Sequence, residues 1–314
     1  MEEIKVSIIC NAYNHGKYIK DALDGFLMQK TNFPFEVLIH DDASTDNTAE
    51  IIREYEKQYP DIIKPIYQKE NQYSKGISIG LKYQVPRMKG KYIALCEGDD
   101  YWTDSLKLQK QFDAMEKYPE IDICAHAATK IKAVDGKKIC NIAPARSNTI
   151  FSPEKVILGG GGFVATNSLF YRKELAINVP EFRKFLSLDY TLQIHGALRG
   201  GMLYLPYNMS VYRAFVAGSW TDRMKNRELS LKHLEKIIKM LDVLDKETEN
   251  KFSKAIRQHK LEIIFNDIAD NGEYDRLRKG DLKDIYNAKP LPWKLKIYIK
   301  EYFPTLLSLY RKMR

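Results

Sequence analysis

The sequence lacks the signatures of several common classes of site. It has no HExxH pair, no Cys/His cluster at metal-binding spacing and no GxxxxGK[ST] loop, so zinc chemistry and P-loop phosphoryl transfer have no support. No GxGxxG follows the first predicted strand, which disfavours a dinucleotide cofactor. The four cysteines show no CxxC spacing, and we interpret them as buried free thiols in a reducing compartment.

Long apolar runs are also missing. No stretch approaches the roughly 20 apolar residues that are needed to span a bilayer. The first five residues, MEEIK, run directly into a predicted strand without a signal-peptide pattern. We therefore expect a cytoplasmic protein, with peripheral attachment to the inner face of the plasma membrane left open.

Positive charge is in excess and unevenly distributed. The chain has 50 Lys or Arg against 41 Asp or Glu, and residues 289–314 contain seven of these cations but only one acid, Glu301. Aromatic residues are interleaved with the cations of this tail, which favours a membrane surface over a nucleic-acid groove. We expect no nucleic-acid partner. Docking on the protein itself or on a partner chain remains the alternative for residues 291–314.

Strand and helix patterns alternate through about the first 130 residues. Strands are predicted at four short apolar runs, residues 6–10, 35–39, 62–67 and 92–96. Apolar residues at helical spacing separate these runs. The alternation predicts an α/β domain whose mostly parallel sheet is covered by helices on both faces.

The pattern changes twice in the remainder of the chain. It loosens after residue 122 into short strands, with a run of four glycines at 159–162. We expect a loop there, because glycine loses much backbone entropy on ordering. From residue 222 onward, apolar stripes at helical spacing predict helices.

Two acidic pairs follow predicted strands directly. Asp41-Asp42 comes after the second strand, and Asp99-Asp100 comes after the fourth. Because ligands of open parallel sheets bind at the carboxyl ends of the strands, both pairs are expected to face one crevice. Each pair alone has an alternative interpretation as a solvated turn or helix cap. Together they indicate a site for Mg²⁺ or Mn²⁺, which prefer hard oxygen ligands and often share them with substrate phosphates.

Three motifs carry a family resemblance. Residues 6–14 (VSIICNAYN), 41–46 (DDASTD) and 97–102 (EGDDYW) resemble, in order and spacing, the motifs of family 2 glycosyltransferases of the GT-A fold. The resemblance covers about residues 4–220. It implies a nucleotide-binding α/β sheet and inverting transfer from a nucleotide-diphosphate sugar with Mg²⁺ or Mn²⁺. Such enzymes commonly build surface polysaccharide or glycolipid.

The resemblance also implies roles for residues of these motifs. Asp42 matches the carboxylate that reads the nucleotide base, usually uracil, and Tyr13 matches the aromatic residue beside that base. Asn11 belongs to the same donor-binding group. Asp100 matches the direct metal ligand, and Asp99, also counted as a ligand, lies nearer the donor ribose and sugar.

Asp189 falls where the family places its catalytic base. It stands in LDYTL, where Leu188 and Tyr190 replace the Gly and Trp that are common in the family. A general base there would remove the acceptor hydroxyl proton during attack. The alternative interpretation of Asp189 is a helix N-cap.

Further candidates flank the predicted site. Trp102 either stacks on the donor sugar or forms a wall of the pocket. Arg213, in VYR, resembles a residue that lies near the diphosphate in the family. Phe215 stands where the family often has a histidine. Asn167 and Ser168 fall near the acceptor-side strand of the family.

These observations predict a GT-A catalytic domain at residues 1–221, with a nucleotide-binding half at 1–121 and an acceptor half at 122–221. A helical C-terminal extension follows at 222–314. The predicted function is hexosyltransferase-like transfer, with a UDP-sugar as the expected donor and a glycan or lipid-linked glycan as acceptor. One alternative is a sugar-nucleotide pyrophosphorylase, which would need a basic Gly-rich loop after the first strand. The other is a non-catalytic nucleotide-sugar-binding protein, which would tolerate loss of Asp189.

Overall fold

The computed structural model describes residues 2–186 and 188–303, without the side chains of Trp220 and Thr221. The last part of the predicted basic tail, residues 304–314, lies outside the described residues.

By its internal contacts the chain divides into two compact units, Met1–Ser230 and Leu231–Arg314. The predicted boundary at residue 221 and the two functional halves of the catalytic domain stay predictions. None of the described helices combines the length and apolarity that crossing a bilayer requires.

The strands of the first unit form one sheet. They are β1 (Val6–Ala12), β2 (Phe35–Asp41), β3 (Ile63–Tyr67), β4 (Tyr92–Leu95), β5 (Tyr101–Trp102), β6 (Ile123–Lys132), β7 (Lys138–Ile142), β8 (Thr149–Phe151), β9 (Phe170–Arg172) and β10 (Met202–Ala214). Its helices are α1 (Ile19–Leu27), α2 (Thr48–Gln58), α3 (Lys107–Lys117), α4 (Pro153–Gly159), α5 (Glu174–Ile177), α6 (Glu181–Phe185), α7 (Asp189–Gly200) and α8 (Trp220–Arg223).

The sheet has the order β3-β2-β1-β4-β9-β6-β10-β5. Its first four strands are parallel, as the alternating pattern predicts. The other half is mixed, because β9 runs antiparallel to both β4 and β6 and β5 runs antiparallel to β10. The predicted α/β fold is confirmed; parallel pairing is continuous through the first half of the sheet and recurs between β6 and β10.

Burial explains why β1 is mostly apolar, with Ser7 and Asn11 as its polar residues. Ile8 is fully buried between Val37 of β2 and Ala94 of β4, and helices α1 and α2 contribute Phe26 and Ile52 to the same core. Strands β1 and β2 are also in register at their carboxyl ends, where Ala12 pairs with Asp41. The turns that follow these strands therefore begin at the same edge of the sheet.

Two local predictions need correction. The glycine run is not wholly a loop, because Gly159 is the last residue of α4 and Gly160, with φ of 64°, ends that helix. Glycine adopts a positive φ without the steric cost that other residues meet, so it suits this helix end. Cys140 is exposed on β7, which lies off the main strand order, whereas the other three cysteines are buried free thiols.

The second unit is helical, which confirms the predicted C-terminal helices. It contains most of α9 (Arg227–Glu247), followed by α10 (Ser253–Asp270), α11 (Tyr274–Leu277), α12 (Leu282–Ala288) and α13 (Leu291–Tyr302). Phe265, Ile268 and Leu277 form its small core, and Trp293 of α13 packs against this core. Part of the predicted basic tail thus docks within its own unit.

Helix α3 carries a lysine into the core of the first unit. The side chain of Lys107 is fully buried, and its Nζ lies 3.8 Å from the ring centroid of Trp102. Among the described residues, none hydrogen-bonds to this Nζ. Burial lowers the pKa of Lys107 to about 7.

Replacing Lys107 with methionine should stabilise the protein. The unfolded chain holds the lysine proton up to about pH 10, whereas the folded protein releases it near pH 7. Unfolding therefore takes up a proton between these values, so this lysine makes wild-type stability rise with pH there. Lys107→Met should raise the melting temperature at neutral pH and remove that rise. Thermal melts across this pH range, with exposed Lys117→Met as control, check it; an unchanged pH slope would contradict it.

Candidate functional site

Three turns meet at the carboxyl edge of strands β1, β2 and β4. The backbone N–H of Asp42 donates to the carbonyl of Ala12 at 2.9 Å. The N–H of Gly98 donates to the carbonyl of Asn11 at 3.0 Å. A Cβ on Gly98 would lie 2.8 Å from His15 Nδ1, so this close approach requires glycine. The structure therefore brings both Asp-Asp pairs to one edge of the sheet.

The two carboxylates of the Asp99-Asp100 pair have different surroundings. Asp100 is buried, and its Oδ1 accepts a hydrogen bond from the backbone N–H of Arg213 at 2.7 Å. Its Oδ2 accepts one from Asn167 Nδ2 at 3.1 Å. The Asp99 side chain keeps 16% exposure, and its Oδ2 lies 3.9 Å from His15 Nε2. Asp100 is thus held in place by the protein, while Asp99 is the more accessible of the two.

Asn167 contacts Asp100 from the turn that precedes β9. It is fully buried in a 3₁₀ turn at Thr166–Ser168. Its Nδ2 donates to Asp100 and also to the carbonyl of Val211 at 2.8 Å, and its Oδ1 accepts from Ser210 Oγ at 2.8 Å. Because all three side-chain contacts are satisfied, Asn167 fixes the orientation of the Asp100 carboxylate.

Glu97 is a site residue to which the sequence analysis assigned no role. Burial, together with the nearby charges of Asp99 and Asp189, raises its pKa to about 8 against the opposing effect of a hydrogen bond from Asn11. Burial and the charge of Asp99 likewise hold the pKa of Asp100 well above its usual range. Four acidic side chains therefore share one region of low polarity.

This acidic cluster, Glu97, Asp99, Asp100 and Asp189, fits a divalent cation in its chemistry. Crowded carboxylates disfavour one another's ionised forms, and a bound cation would offset that cost. Within residues 2–186 and 188–303, no three His, Cys, Asp or Glu side chains are arranged to hold a metal ion. The protein could thus supply one or two oxygen ligands, leaving the others to phosphate and water, which is how Mg²⁺ is often bound.

Asp189 lies at the first position of helix α7. Its Oδ2 accepts a hydrogen bond from Thr166 Oγ1 at 2.5 Å, and its Oδ1 accepts one from the backbone N–H of Tyr190 at 2.7 Å. Burial raises the pKa of Asp189 above its usual value. Because its charge acts on Glu97, it belongs to the acidic cluster as well as to the helix end. The N-cap of α7 is Leu188, not Asp189.

Asp42 is covered by the chain that follows β3. Its Oδ1 accepts from the backbone N–H of Gln72 at 2.8 Å, and its Oδ2 accepts from that of Tyr73 at 3.0 Å. His40 Nε2 lies 3.3 Å from the same carboxylate. Asp42 is therefore buried, whereas Tyr13 is 44% exposed. The backbone N–H groups of Gln72 and Tyr73 thus already occupy one acceptor position on each Asp42 oxygen.

Trp102 faces the core, contrary to a role in stacking on a sugar. It is 2% exposed, and its Nε1 donates to the carbonyl of Asn167 at 2.9 Å. Phe26 meets its ring edge to face at 4.9 Å between centroids, and Lys107 lies over the ring. The alternative interpretation, in which Trp102 walls the site from behind, agrees with this packing.

Arg213 is tied to the acidic motif itself. Its Nη1 donates to the carbonyl of Asp99 at 2.9 Å, and its Nη2 forms an ion pair with Asp21. The guanidinium also lies over the ring of Tyr101, 4.4 Å from its centroid. A diphosphate near Arg213 would meet a guanidinium that already has two acceptors, Asp21 and the Asp99 carbonyl. Phe215, where the family often has histidine, is exposed with φ of 66°.

Comparison with known proteins identifies the family. Residues 7–176 match the model of glycosyl transferase family 2. An uncharacterized protein of Mycobacterium tuberculosis, Rv1520, is 39% identical over 225 residues, which cover 70% of this chain and 63% of the relative. The match thus spans less than two thirds of that relative's length. A β-1,3-glucosyltransferase of Escherichia coli, WfaP, is 36% identical over 111 residues, or 35% of this chain and 41% of that protein. Its name gives UDP-Glc as donor and a GlcNAc-diphosphoundecaprenol as acceptor.

Solved structures agree at the level of the fold. TarS 1–349 of S. aureus in complex with UDP-GlcNAc superposes with a TM-score of 0.63 at 16% identity, covering 85% of this chain and 73% of that one. The mannosyltransferase PcManGT of Pyrobaculum calidifontis, in complex with GDP-Man and Mn²⁺, gives a TM-score of 0.54 at 14% identity, covering 96% and 88%. The family match over the α/β sheet and its acidic edge, joined to this fold, shows that the chain belongs to glycosyl transferase family 2.

Proposed function

We propose that this protein transfers a sugar, with inversion, from a nucleotide-diphosphate sugar to a hydroxyl group of a glycan or lipid-linked glycan. The observation that carries the proposal is the acidic cluster at the carboxyl edge of the parallel strands, with its raised pKa values at Glu97, Asp100 and Asp189. The crowding of these carboxylates disfavours their ionised forms, and a bound cation would offset that cost. A site of this kind suits a cation together with a phosphate-bearing substrate.

We assign two roles within the acidic cluster, metal binding and general-base catalysis. Asp99, the accessible carboxylate, and Asp100, which Asn167 and Arg213 orient, are the candidates to hold Mg²⁺ or Mn²⁺. When bound, such an ion would act as a Lewis acid on the diphosphate leaving group. Between the two, accessibility favours Asp99 for direct contact, although the family resemblance favours Asp100. Tyr13 and Asn11 are proposed to line the donor side.

Asp189 is proposed as the general base. As the acceptor oxygen forms its bond to the anomeric carbon, the bond from that carbon to the diphosphate breaks and its electron pair leaves with the diphosphate. Asp189 takes the hydroxyl proton at this point. A single displacement of this kind inverts the anomeric centre. Thr166 holds the carboxylate through its hydroxyl hydrogen bond, so one Asp189 oxygen has a fixed direction.

UDP is the proposed nucleotide, and the donor names of the compared proteins support it in part. WfaP is named for a UDP-sugar donor and TarS was solved with UDP-GlcNAc, whereas PcManGT was solved with GDP-Man. The acceptor of WfaP is a lipid-linked sugar diphosphate. For this chain we propose a similar class of acceptor and a part in surface polysaccharide assembly.

Nucleotide binding can be tested by thermal melts with UDP, GDP and dTDP, each with and without Mn²⁺. We expect UDP with Mn²⁺ to raise the melting temperature more than either alone. A ligand at about 100 times its Kd adds roughly 2.7 kcal/mol to the free energy of unfolding, which is a measurable shift. Asp99→Asn should lose the part of the shift that requires metal. Asp104→Asn, which alters a neighbouring acid paired with Lys110, should keep it. If no nucleotide stabilises the protein in the presence of metal, the donor site is rejected.

A further inference from the structure

The turn at Thr166–Ser168 reaches two parts of the acidic cluster with consecutive side chains. Thr166 Oγ1 donates to Asp189 Oδ2 at 2.5 Å, and Asn167 Nδ2 donates to Asp100 Oδ2 at 3.1 Å. Asp100 lies between strands β4 and β5, whereas Asp189 begins helix α7, so the two carboxylates belong to different elements. A displacement of the turn backbone would therefore change the contacts of both carboxylates together.

Two side chains from elsewhere in the sequence hold the backbone of this turn. Trp102 Nε1 donates to the carbonyl of Asn167 at 2.9 Å. Gln111 Nε2, from helix α3, donates to the carbonyl of Ser168 at the same distance. Both side chains are buried, so bulk water does not compete for these carbonyls. The turn is thus fixed by the core behind it.

Gln111 has an unusual set of contacts for a residue in the core. Its side chain is fully buried, and its Nε2 also lies 3.7 Å from Cys124 Sγ, a weak acceptor. Within the part of the chain that the structure describes, no group donates to its Oε1. A buried acceptor without a donor costs stability, and an apolar residue of similar size would avoid that cost. The contact that distinguishes glutamine from such a residue is its hydrogen bond to the Ser168 carbonyl.

We propose that Gln111 is a positioning residue, which acts through the Thr166–Ser168 turn to align Asp189 with Asp100. The inference rests on the proposed function, from which it takes the roles of these two carboxylates as base and metal ligand. Misplacement by about 1 Å, even from a change far from the reacting atoms, can lower a rate by about a hundredfold. Gln111 donates to the turn, so its effect on both carboxylates passes through the turn backbone.

Gln111→Leu tests the inference through two quantities, each measured well below the melting temperature. One is the affinity for Mn²⁺ in the presence of UDP, from titration calorimetry. The other is the single-turnover rate at which UDP is released from UDP-glucose or UDP-GlcNAc, whichever the wild type uses. We expect the affinity to fall about tenfold and the rate about tenfold to a hundredfold. The melting temperature should change little, because leucine removes the unpaired oxygen together with the hydrogen bond.

Gln109→Leu is the matched control, because Gln109 lies on the same helix but donates to Asp113 Oδ1 at 2.9 Å. It should leave both quantities unchanged. Gln111→Met, with a more adaptable side chain, replaces the leucine variant if that variant does not fold. Thr166→Val removes only the hydroxyl that binds Asp189, so the rate should fall about tenfold while the Mn²⁺ affinity is kept. Thr166→Ser, which retains the hydroxyl, should restore the rate.

The outcomes separate this inference from the proposed function. A loss of both quantities in Gln111→Leu, with Gln109→Leu unchanged, supports the positioning role. Wild-type values of both quantities in Gln111→Leu, whatever its melting temperature, would show a merely structural residue and overturn the inference alone. A change in only one quantity overturns the shared role of the turn. A wild type that neither binds UDP with Mn²⁺ nor releases UDP rejects the proposed function, and the inference with it.

Discussion

Asp189→Asn should lower the rate of sugar transfer by about a hundredfold to ten-thousandfold, the range that general-base catalysis supplies. Asparagine keeps the size of the side chain and can still accept the Thr166 hydrogen bond, but it cannot take a proton from the acceptor hydroxyl. Donor binding should survive, since the acidic pair Asp99-Asp100 is untouched. Single-turnover transfer and a nucleotide thermal shift on the same variant separate the two effects.

The control for this variant is Glu154→Gln. Glu154 is also an acid in the first turn of a helix, α4, but it is exposed. Glu154→Gln should leave the rate of transfer unchanged. This control shows whether removing an acid from a helix end affects transfer in general. Burial raises the pKa of Asp189 above its usual value. On the acid side of the pH profile, wild-type kcat/KM should therefore fall at a pH above the ordinary aspartate pKa of about 3.9. Transfer retained at the wild-type rate in Asp189→Asn would reject Asp189 as the general base.

The second large effect is expected at Asn167, which we assign as a positioning residue. Asn167→Ala removes the side-chain donor to Asp100 Oδ2, and loss of such an outer partner typically costs ten- to a hundredfold in metal affinity. The backbone carbonyl that binds Trp102 is retained, so the wall behind the site should persist. We expect the apparent affinity for Mn²⁺ in the presence of UDP to fall by this amount.

Titration calorimetry well below the melting temperature measures this change without interference from unfolding. Ser168→Ala is the matched control, because Ser168 is equally buried in the same turn but donates to the carbonyl of Ala165, away from Asp100. Asn167→Asp should be at least as harmful, since it sets a second carboxylate against Asp100. Equal metal affinity in wild type and Asn167→Ala would show that Asp100 does not depend on this contact.

The sequence predicted the parts of the fold that local pattern determines. Apolar runs at β1, β2 and β4 located the parallel half of the sheet, and the acids that follow β2 and β4 located the site. The antiparallel placement of β9 was not predictable in this way. A three-residue strand has too little periodicity to reveal its neighbours, and its position depends on pairing with both β4 and β6.

The roles that the sequence left open or missed share one cause. Trp102 follows the acidic motif and so suggested a surface for a sugar, but Phe26 and Lys107, distant in sequence, enclose it. Asn167 meets Asp100 across 67 positions of sequence, and Glu97 gains its raised pKa from burial. These roles arise from long-range packing, which a single sequence does not record as a motif.

The contacts that cover Asp42 in the free protein would oppose the binding of a nucleotide base there. The backbone amides of Gln72 and Tyr73 already offer this carboxylate two N–H donors, so the segment is an intramolecular competitor of any base. We propose that a nucleotide base using Asp42 would compete with these donors, which are held at high effective concentration, and that a base without a ring N–H facing the carboxylate would gain no contact in exchange. The contact that satisfies Asp42 in the free protein would thereby favour nucleotides whose base has a suitable ring N–H over those without one.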